Sequence, residues 1–522
     1  MNDEQIFRLA KPKKKGLLPL VFSRFLIIVL LLILQVVLIV GFYGWLGEYI
    51  PFFSVILRLF TLAMIYYLFN SMMDSTAKLT WMFIIAILPL PGAAFLFFTQ
   101  TNAGHRRIKN RVEKLIDDTM DAIEQPKSVM EELEIDGSGT DDLCTYLNRS
   151  GCFPVYDRTQ VSFFPLGEDK FAAMLEELKK AEKFIFMEYF IVEEGYMWGE
   201  ILKILVEKVK AGVDVRVMYD GMCEVSALPA GYCKLLAAQG IKAKAFSPII
   251  PVVSSHFNYR DHRKILVIDG KVAFNGGVNL ADEYINHIER FGHWKDTALM
   301  IKGAAAKSFT LLFLQMWNID EHKPEFLPYL DDGGYKPEHP SGYVMPYGDC
   351  PLDDEKVGEA VYMDILNRAC DYVHIMTPYL ILDGELETAL KYAAERGVDV
   401  KLILPGIPDK KMAYALAKSH YRSLVKAGVE IYEYTPGFVH AKVFVSDDKK
   451  AVVGTINLDY RSLYHHFECA TYLYKTDCIP EIEQDFQNTL AKCRKVTPET
   501  IRNEKVFYKL MGSLIKFVAP LM

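Results

Sequence analysis

One arrangement of residues, present twice, constrains this chain more than anything else in it. His262-Arg-Lys264-Ile-Leu-Val-Ile-Asp269 continues to Gly276-Gly277-Val-Asn279, and His440-Ala-Lys442-Val-Phe-Val-Ser-Asp447 continues to Gly454-Thr455-Ile-Asn457. Both follow the pattern H-x-K-x4-D-x6-G-x2-N. The copies belong to a longer repeat. Ala211-Gly-Val-Asp-Val-Arg-Val-Met-Tyr-Asp220 is answered by Arg396-Gly-Val-Asp-Val-Lys-Leu-Ile-Leu-Pro405, and Gly240-Ile-Lys-Ala-Lys by Gly428-Val-Glu-Ile-Tyr. A β-forming run precedes each, Phe184 to Val192 and Val373 to Leu382, followed by apolar residues at helical spacing. Alternating strands and helices predict an α/β layer structure. Two such repeats of similar size, arising by duplication, should form one catalytic unit.

The motif's spacing suggests its chemistry. On a strand, His262 and Lys264 share a face, as do His440 and Lys442, while Asp269 and Asp447 point the other way. Histidine and lysine can meet one anion. The six residues His262, Lys264, Asp269, His440, Lys442 and Asp447 are taken as the catalytic set, with the two aspartates expected to hold the turn behind the site. Gly276-Gly277 and Gly454-Thr455 end the next strand, where backbone must pass close to something. Asn279 and Asn457 add neutral donors there and are read as phosphate-binding. A phosphodiester between two ammonium groups and two carboxamides needs no metal to neutralise its transition-state charge.

Before the repeat the chain is apolar. Phe25 to Leu46 is broken only by Gln35 and glycines, long enough to span a bilayer. Arg8, Lys11, Lys13, Lys14, Lys15 and Arg24 precede it and should stay in the cytoplasm. Phe52 to Phe69 and Leu79 to Phe98 are further candidates, but Arg58 sits in the first and Pro89, Pro91 and Gly92 interrupt the second. A second basic cluster, Arg106, Arg107, Lys109, Arg111 and Lys114, also favours the cytoplasm. Both clusters inside require an even number of crossings, so two of the three stretches are expected to cross, giving a multi-pass cell-membrane protein with a cytoplasmic catalytic part. The chain is divided into a membrane region at 1–102 with two or three hydrophobic helices and a juxtamembrane helix and linker at 103–151. Two α/β domains at 152–340 and 341–495 and an amphipathic tail at 496–522 follow. That tail suits either a bilayer-surface helix or an ordinary docking helix.

Charge and cysteines narrow the class further. The first 102 residues hold eight of 59 Lys/Arg and four of 66 Asp/Glu, leaving 51 basic against 62 acidic, a balance of −11. This disfavours a nucleic-acid partner, which calls for a basic surplus. Nine scattered cysteines without a C-x-x-C pair read as reduced, buried thiols.

These residues resemble the phospholipase D superfamily, whose signature is the doubled motif, and more closely the bacterial cardiolipin synthases. The likeness extends to Lys78-Leu-Thr-Trp81, Leu88-Pro-Leu-Pro-Gly92, Glu188-Tyr-Phe190, Gly292-His-Trp-Lys-Asp-Thr297, Thr377-Pro-Tyr379 and Asn457-Leu-Asp-Tyr-Arg-Ser462. It implies two phospholipase D-like repeats and a phosphatidyl transfer between two phosphatidylglycerol molecules, giving cardiolipin and glycerol without a cofactor. Hydrolysis, or transfer to another alcohol, is the alternative. By the same resemblance His262 attacks phosphorus, His440 is the acid and base, and Asp296 and Glu468 orient the histidines. The residues themselves do not rank the two histidines.

Overall fold

The computed structural model describes Val37, Gly41 and residues 52–100, 105–247, 259–353, 355–516 and 519. The run Phe25 to Leu46 and the basic cluster ahead of it lie outside the described residues, apart from Val37 and Gly41.

The first half supplies β1 (Thr159–Phe164), β2 (Phe184–Tyr189), β3 (Asp214–Asp220), β4 (Lys242–Phe246), β5 (Arg260–Asp261), β6 (Lys264–Ile268), β7 (Val272–Gly276), β8 (His293–Lys295) and β9 (Ala298–Gly303). The second supplies β10 (Tyr343–Asp349), β11 (Tyr372–Met376), β12 (Asp399–Pro405), β13 (Glu430–Tyr434), β14 (Gly437–Val439), β15 (Val443–Ser446), β16 (Lys450–Gly454), β17 (His466–Tyr474) and β18 (Cys493–Lys495). One sheet runs β1-β9-β7-β6-β2-β3-β4, and the other runs β10-β17-β16-β15-β11-β12-β13-β18. Strand for strand these are the same path, with β18 added at one edge. The repeat read in the sequence is therefore a repeat of topology.

In both halves a parallel trio, β2-β3-β4 or β11-β12-β13, joins the antiparallel strands that carry the motif. Helices such as Tyr196–Lys210 and Gly384–Glu395 cross between the parallel strands. Covered on both faces, β2, β6, β7, β15 and β16 are buried at every position, which is why they read as continuous apolar runs instead of alternating ones. The largest core cluster takes Phe186, Val267, Phe309 and Leu312 from the first half, and Val344, Tyr347, Val373 and Phe444 from the second. The two sheets thus share one interior.

Residues 105–151 are more ordered than the linker expected of them. Helices His105–Asp117, Lys127–Asp136 and Thr140–Gly151 follow one another, and Leu133, Leu143 and Leu147 are buried in the shared core. Gly137 and Gly139, at φ of 66° and 72°, make the turn between the last two of these helices. Arg111, counted as part of a cytoplasmic basic cluster, donates to the carbonyls of Asn318, Ile319 and Glu321.

The expectation of membrane crossings after residue 52 needs correcting. Among the described residues no helix is long and apolar enough to cross a membrane. Helix α1 (Phe53–Phe69) has 17 residues, about 25 Å of rise against a hydrocarbon core of about 30 Å. The third apolar stretch divides at Leu88 into α2 (Ser75–Ile87) and α3 (Pro89–Gln100), because the residue before a proline is pushed out of the helical region. Trp81, Ile85, Ala93 and Leu96 pack these helices against Met64 and Leu68 of α1. Leu59, Leu62, Tyr66, Phe69, Leu79, Phe83 and Phe95 stay exposed.

The tail helix docks on the second half. Helix Val506–Lys516 lies so close on helix Lys411–Lys426 that a Cβ on Gly512 would meet the Ala415 carbonyl at 2.4 Å. Its outer face exposes Val506, Phe507, Leu510 and Leu514.

Candidate active site

The two motifs meet because each half reaches into the other. Short β5, just ahead of His262, pairs in parallel with the start of β17, setting Arg260 opposite His466 and Asp261 opposite Phe467. Strand β14, just ahead of His440, pairs in parallel with β8, setting Val439 opposite Lys295. The His262 amide donates to the Phe467 carbonyl at 2.9 Å, and the His440 amide to the Lys295 carbonyl at 2.7 Å. The next residue in each case is the orienting carboxylate. Each histidine is therefore oriented by an acid from the opposite half: His262 Nδ1 lies 2.9 Å from both oxygens of Glu468, and His440 Nδ1 lies 2.7 Å from Asp296 Oδ2. A carboxylate can only accept, so the proton sits on Nδ1 and the lone pair on Nε2.

Small residues make room for these acids. A Cβ on Gly277 would come 2.0 Å from Asp296 Oδ1, and one on Gly276 would strike Ala298 and Thr297. In the second half Thr455 takes the place of Gly277 and donates its hydroxyl to Glu468. Each motif is thus shaped around its own half's acid, while that acid serves the other half's histidine. Phe190 stands edge-on to His262 with ring centres 4.9 Å apart, and Tyr284 stands edge-on to His440 at 5.3 Å.

Lys264 donates to the His262 carbonyl at 2.5 Å. Lys442 donates to the His440 carbonyl, and its Nζ lies 3.0 Å from His440 Nδ1. All four groups are buried, and burial disfavours their charged forms. It lowers Lys264 to about 8 and Lys442 to about 7. Burial, then the Lys442 charge, brings His440 to about 4, and burial takes His262 well below its ordinary value. Burial would raise Glu468 and Asp296, but the adjacent histidines reverse this and hold both below the usual carboxylate range. Lys264 is among the charges that act on His440 and on Lys442, so the two motifs share one electrostatic site. At neutral pH that site holds two neutral imidazoles, two carboxylates and lysines whose charge an arriving anion further favours.

Asp269 and Asp447, grouped with the catalytic residues on the motif, stand apart from this chemistry. Each lies beyond the end of its strand, at φ of 54° and 53°, so the turn and not strand alternation turns it away. The Asp269 carboxylate accepts from the amides of Glu182, Lys183 and Phe184, and Asp447 from those of Cys370, Asp371 and Tyr372. These are braces for the start of the parallel strand, as the turn-holding expectation had it. The phosphate-binding reading of the asparagines divides. Asn279 is committed internally, accepting from the Ile191 amide at 3.0 Å and donating to the Tyr284 hydroxyl at 2.8 Å. Buried Asn457 keeps an oxygen with no hydrogen-bond partner.

Two neighbours escaped the sequence reading. Lys170 is fully buried on helix Gly167–Lys180, contacting the Val278 carbonyl at 3.2 Å, and burial brings it to about 7. Its signal was a lysine on the apolar stripe formed by Phe171, Met174 and Leu178. His466 is buried with its ring centre 5.2 Å from that of His262. Donor atoms of His262, His466 and Glu468 all lie within 4.8 Å of one another, as do those of Glu359, Asp383 and Glu385. Tyr464 and Lys356 already engage the latter group.

Comparison with known proteins adds to this geometry. The family described as "Cardiolipin synthase, PLD-like domain" matches residues 174–317 and 362–490, one segment in each half. An uncharacterized protein of Streptococcus mutans is 58% identical over 87% of this chain and 99% of its own length. A cardiolipin synthase of Halalkalibacterium halodurans is 31% identical over 96% of this chain and all of its own length. Among solved structures, phosphatidylserine synthase of Haemophilus influenzae is similar in fold, with a TM-score of 0.53 at 15% identity, over 69% of this chain and 93% of its own.

Proposed function

Because the chain belongs to the cardiolipin synthases, a family of phospholipase D-like enzymes, we propose that it joins two phosphatidylglycerol molecules into cardiolipin and glycerol through a phosphohistidine. The observation that carries this reading is the pair of crossed histidine–carboxylate contacts, His262 with Glu468 and His440 with Asp296. In the first step His262 Nε2 attacks phosphorus, the P–O bond to glycerol breaks, and protonated His440 gives its proton to the departing oxygen. In the second step His440 takes the proton from a glycerol hydroxyl of another phosphatidylglycerol. That oxygen attacks phosphorus, and the P–N bond to His262 breaks. The bound diester anion favours protonated Lys264, Lys442 and His440, restoring charges that burial disfavours in the empty site.

The enzyme works at a membrane, held there by exposed apolar side chains on α1 to α3 and on helix Val506–Lys516. Supporting this, Tyr460 lies close enough to Thr76 and Asp74 at the start of α2 for both to act on its hydroxyl, and it also packs with Ile515 of the C-terminal helix. Tyr460 lies three residues beyond Asn457, so both apolar surfaces join the protein beside the site. The catalytic halves lie on the cytoplasmic side. Exposed Cys370 allows the last point to be tested: an impermeant thiol reagent should leave it unmodified in intact cells.

The deciding experiment supplies labelled phosphatidylglycerol to membranes carrying wild type, His262→Ala or His440→Ala. Cardiolipin and glycerol should form in equal amounts with the wild type alone. Phosphatidic acid as the sole product would replace the reading with hydrolysis, and cardiolipin formation unchanged in both variants would refute the mechanism.

A further inference from the structure

His466 is a buried imidazole whose two nitrogens have no hydrogen-bond partner. Such a group is costly unless something binds it. Its Nδ1 lies 3.6 Å from Glu468 Oε1, too far for a hydrogen bond, and that oxygen is 2.9 Å from His262 Nδ1. Glu468 is completely buried and carries the negative charge, with its other oxygen taken by Thr455. We propose that His262, His466 and Glu468 form a binding site for a divalent transition-metal cation such as zinc, and that occupation of this site switches the enzyme off.

The donor set and its spacing fit such an ion. Two neutral imidazoles and one carboxylate are a zinc-binding combination that leaves a fourth position open. A tetrahedral zinc with bonds of about 2.1 Å holds its donors roughly 3.4 Å apart. The existing separations of 2.9 and 3.6 Å fall on either side of that value. The ion would enter with side-chain shifts of a few tenths of an ångström and would neutralise a fully buried carboxylate. The other half cannot do the same. Two residues before Asp296, where His466 stands relative to Glu468, the chain has Trp294, whose indole offers no lone pair to a metal. The trap is therefore confined to the His262 half of the site.

Inhibition follows from the tautomer. A metal on Nδ1 of neutral His262 sends the ring proton to Nε2, removing the lone pair that attacks phosphorus. No proton is lost and no redox partner is needed, so a chelator reverses the block. The inhibitory part rests on the proposed role of His262, whereas the binding part does not.

The test uses the full chain in detergent after chelator treatment, titrated with zinc by calorimetry and with cobalt by visible absorption, beside cardiolipin synthesis measured with and without zinc. One ion per chain is expected to depend on this triad. His466→Asn should weaken binding at least tenfold and raise the half-inhibitory zinc concentration by the same factor, relative to its own metal-free rate. Glu468→Gln should abolish binding, while His440→Ala should bind zinc as the wild type does. Binding equally tight in His466→Asn and Glu468→Gln overturns the proposal, whatever the enzyme makes. If no variant or wild type yields cardiolipin, the functional reading falls while the calorimetry still decides the metal site.

Discussion

Replacing Glu468 with glutamine tests the crossed arrangement at one atom. When His262 attacks phosphorus its ring becomes cationic, 2.9 Å from the Glu468 oxygens. Two unit charges at that distance in an effective dielectric of about 20 attract by roughly 6 kcal/mol. The amide keeps a dipole but no charge, so about half of this should be lost, or roughly 10²-fold in rate. An amide NH₂ turned towards Nδ1 also favours the wrong tautomer, which brings the expected loss to about 10³–10⁴. The assay is the burst of p-nitrophenol from a p-nitrophenyl phosphodiester, mixed rapidly with enzyme. That leaving group needs no proton, so the burst reports formation of the phosphohistidine alone. Glu468→Gln should eliminate the burst. Asp296→Asn, which disturbs His440, should keep the burst and slow only the turnover that follows. The opposite pattern would exchange the roles of the two histidines, and normal bursts with normal turnover in both variants would refute the argument.

Other consequences can be measured independently. Because Lys442 and Lys264 are brought to about 7 and 8, kcat/KM should fall as pH rises through 7 to 8 and the ammonium groups are lost. It should fall again in acid as the attacking imidazole is protonated, below the ordinary histidine value because burial lowers both histidines. A flat profile from pH 6 to 9 would contradict this. Asp269→Ala removes an acceptor of three backbone amides. It should cost about 3–5 kcal/mol of stability by thermal unfolding, with the catalytic rate of the folded fraction changed by less than tenfold. Introducing Phe507→Glu with Leu510→Glu removes two exposed apolar side chains worth about 1.5–3 kcal/mol each when buried. Vesicle binding by sedimentation should weaken at least tenfold.

How much of this could be read from sequence depended on whether a feature was local. The pairing of histidine with lysine is set two residues apart, so spacing revealed it, whereas the amides that the two aspartates brace lie 75 to 87 residues away. That the two halves share one architecture followed from the repeat. Which acid serves which histidine was not accessible, because it depends on β5 pairing with β17 and β8 with β14 across about 140 to 200 residues. Asn279 looked equivalent to Asn457 until Tyr284 and the Ile191 amide claimed it. Lys170 was hidden because a lone lysine among helical residues ordinarily faces water. The apolar stretch from Leu79 to Phe98 has the composition of a span, yet one proline divides it into two short helices.

The exchange of short strands between the halves also has a historical and practical meaning. Neither half, taken alone, can hold its own histidine in the reactive tautomer, so the duplication makes sense only if the ancestor worked as a symmetric pair of identical chains. Once the copies were joined, the symmetry could decay on each side separately, as Thr455 against Gly277 and His466 against Trp294 record. Cutting the chain between Trp317 and Tyr343 should therefore give two inert fragments whose activity returns only on mixing.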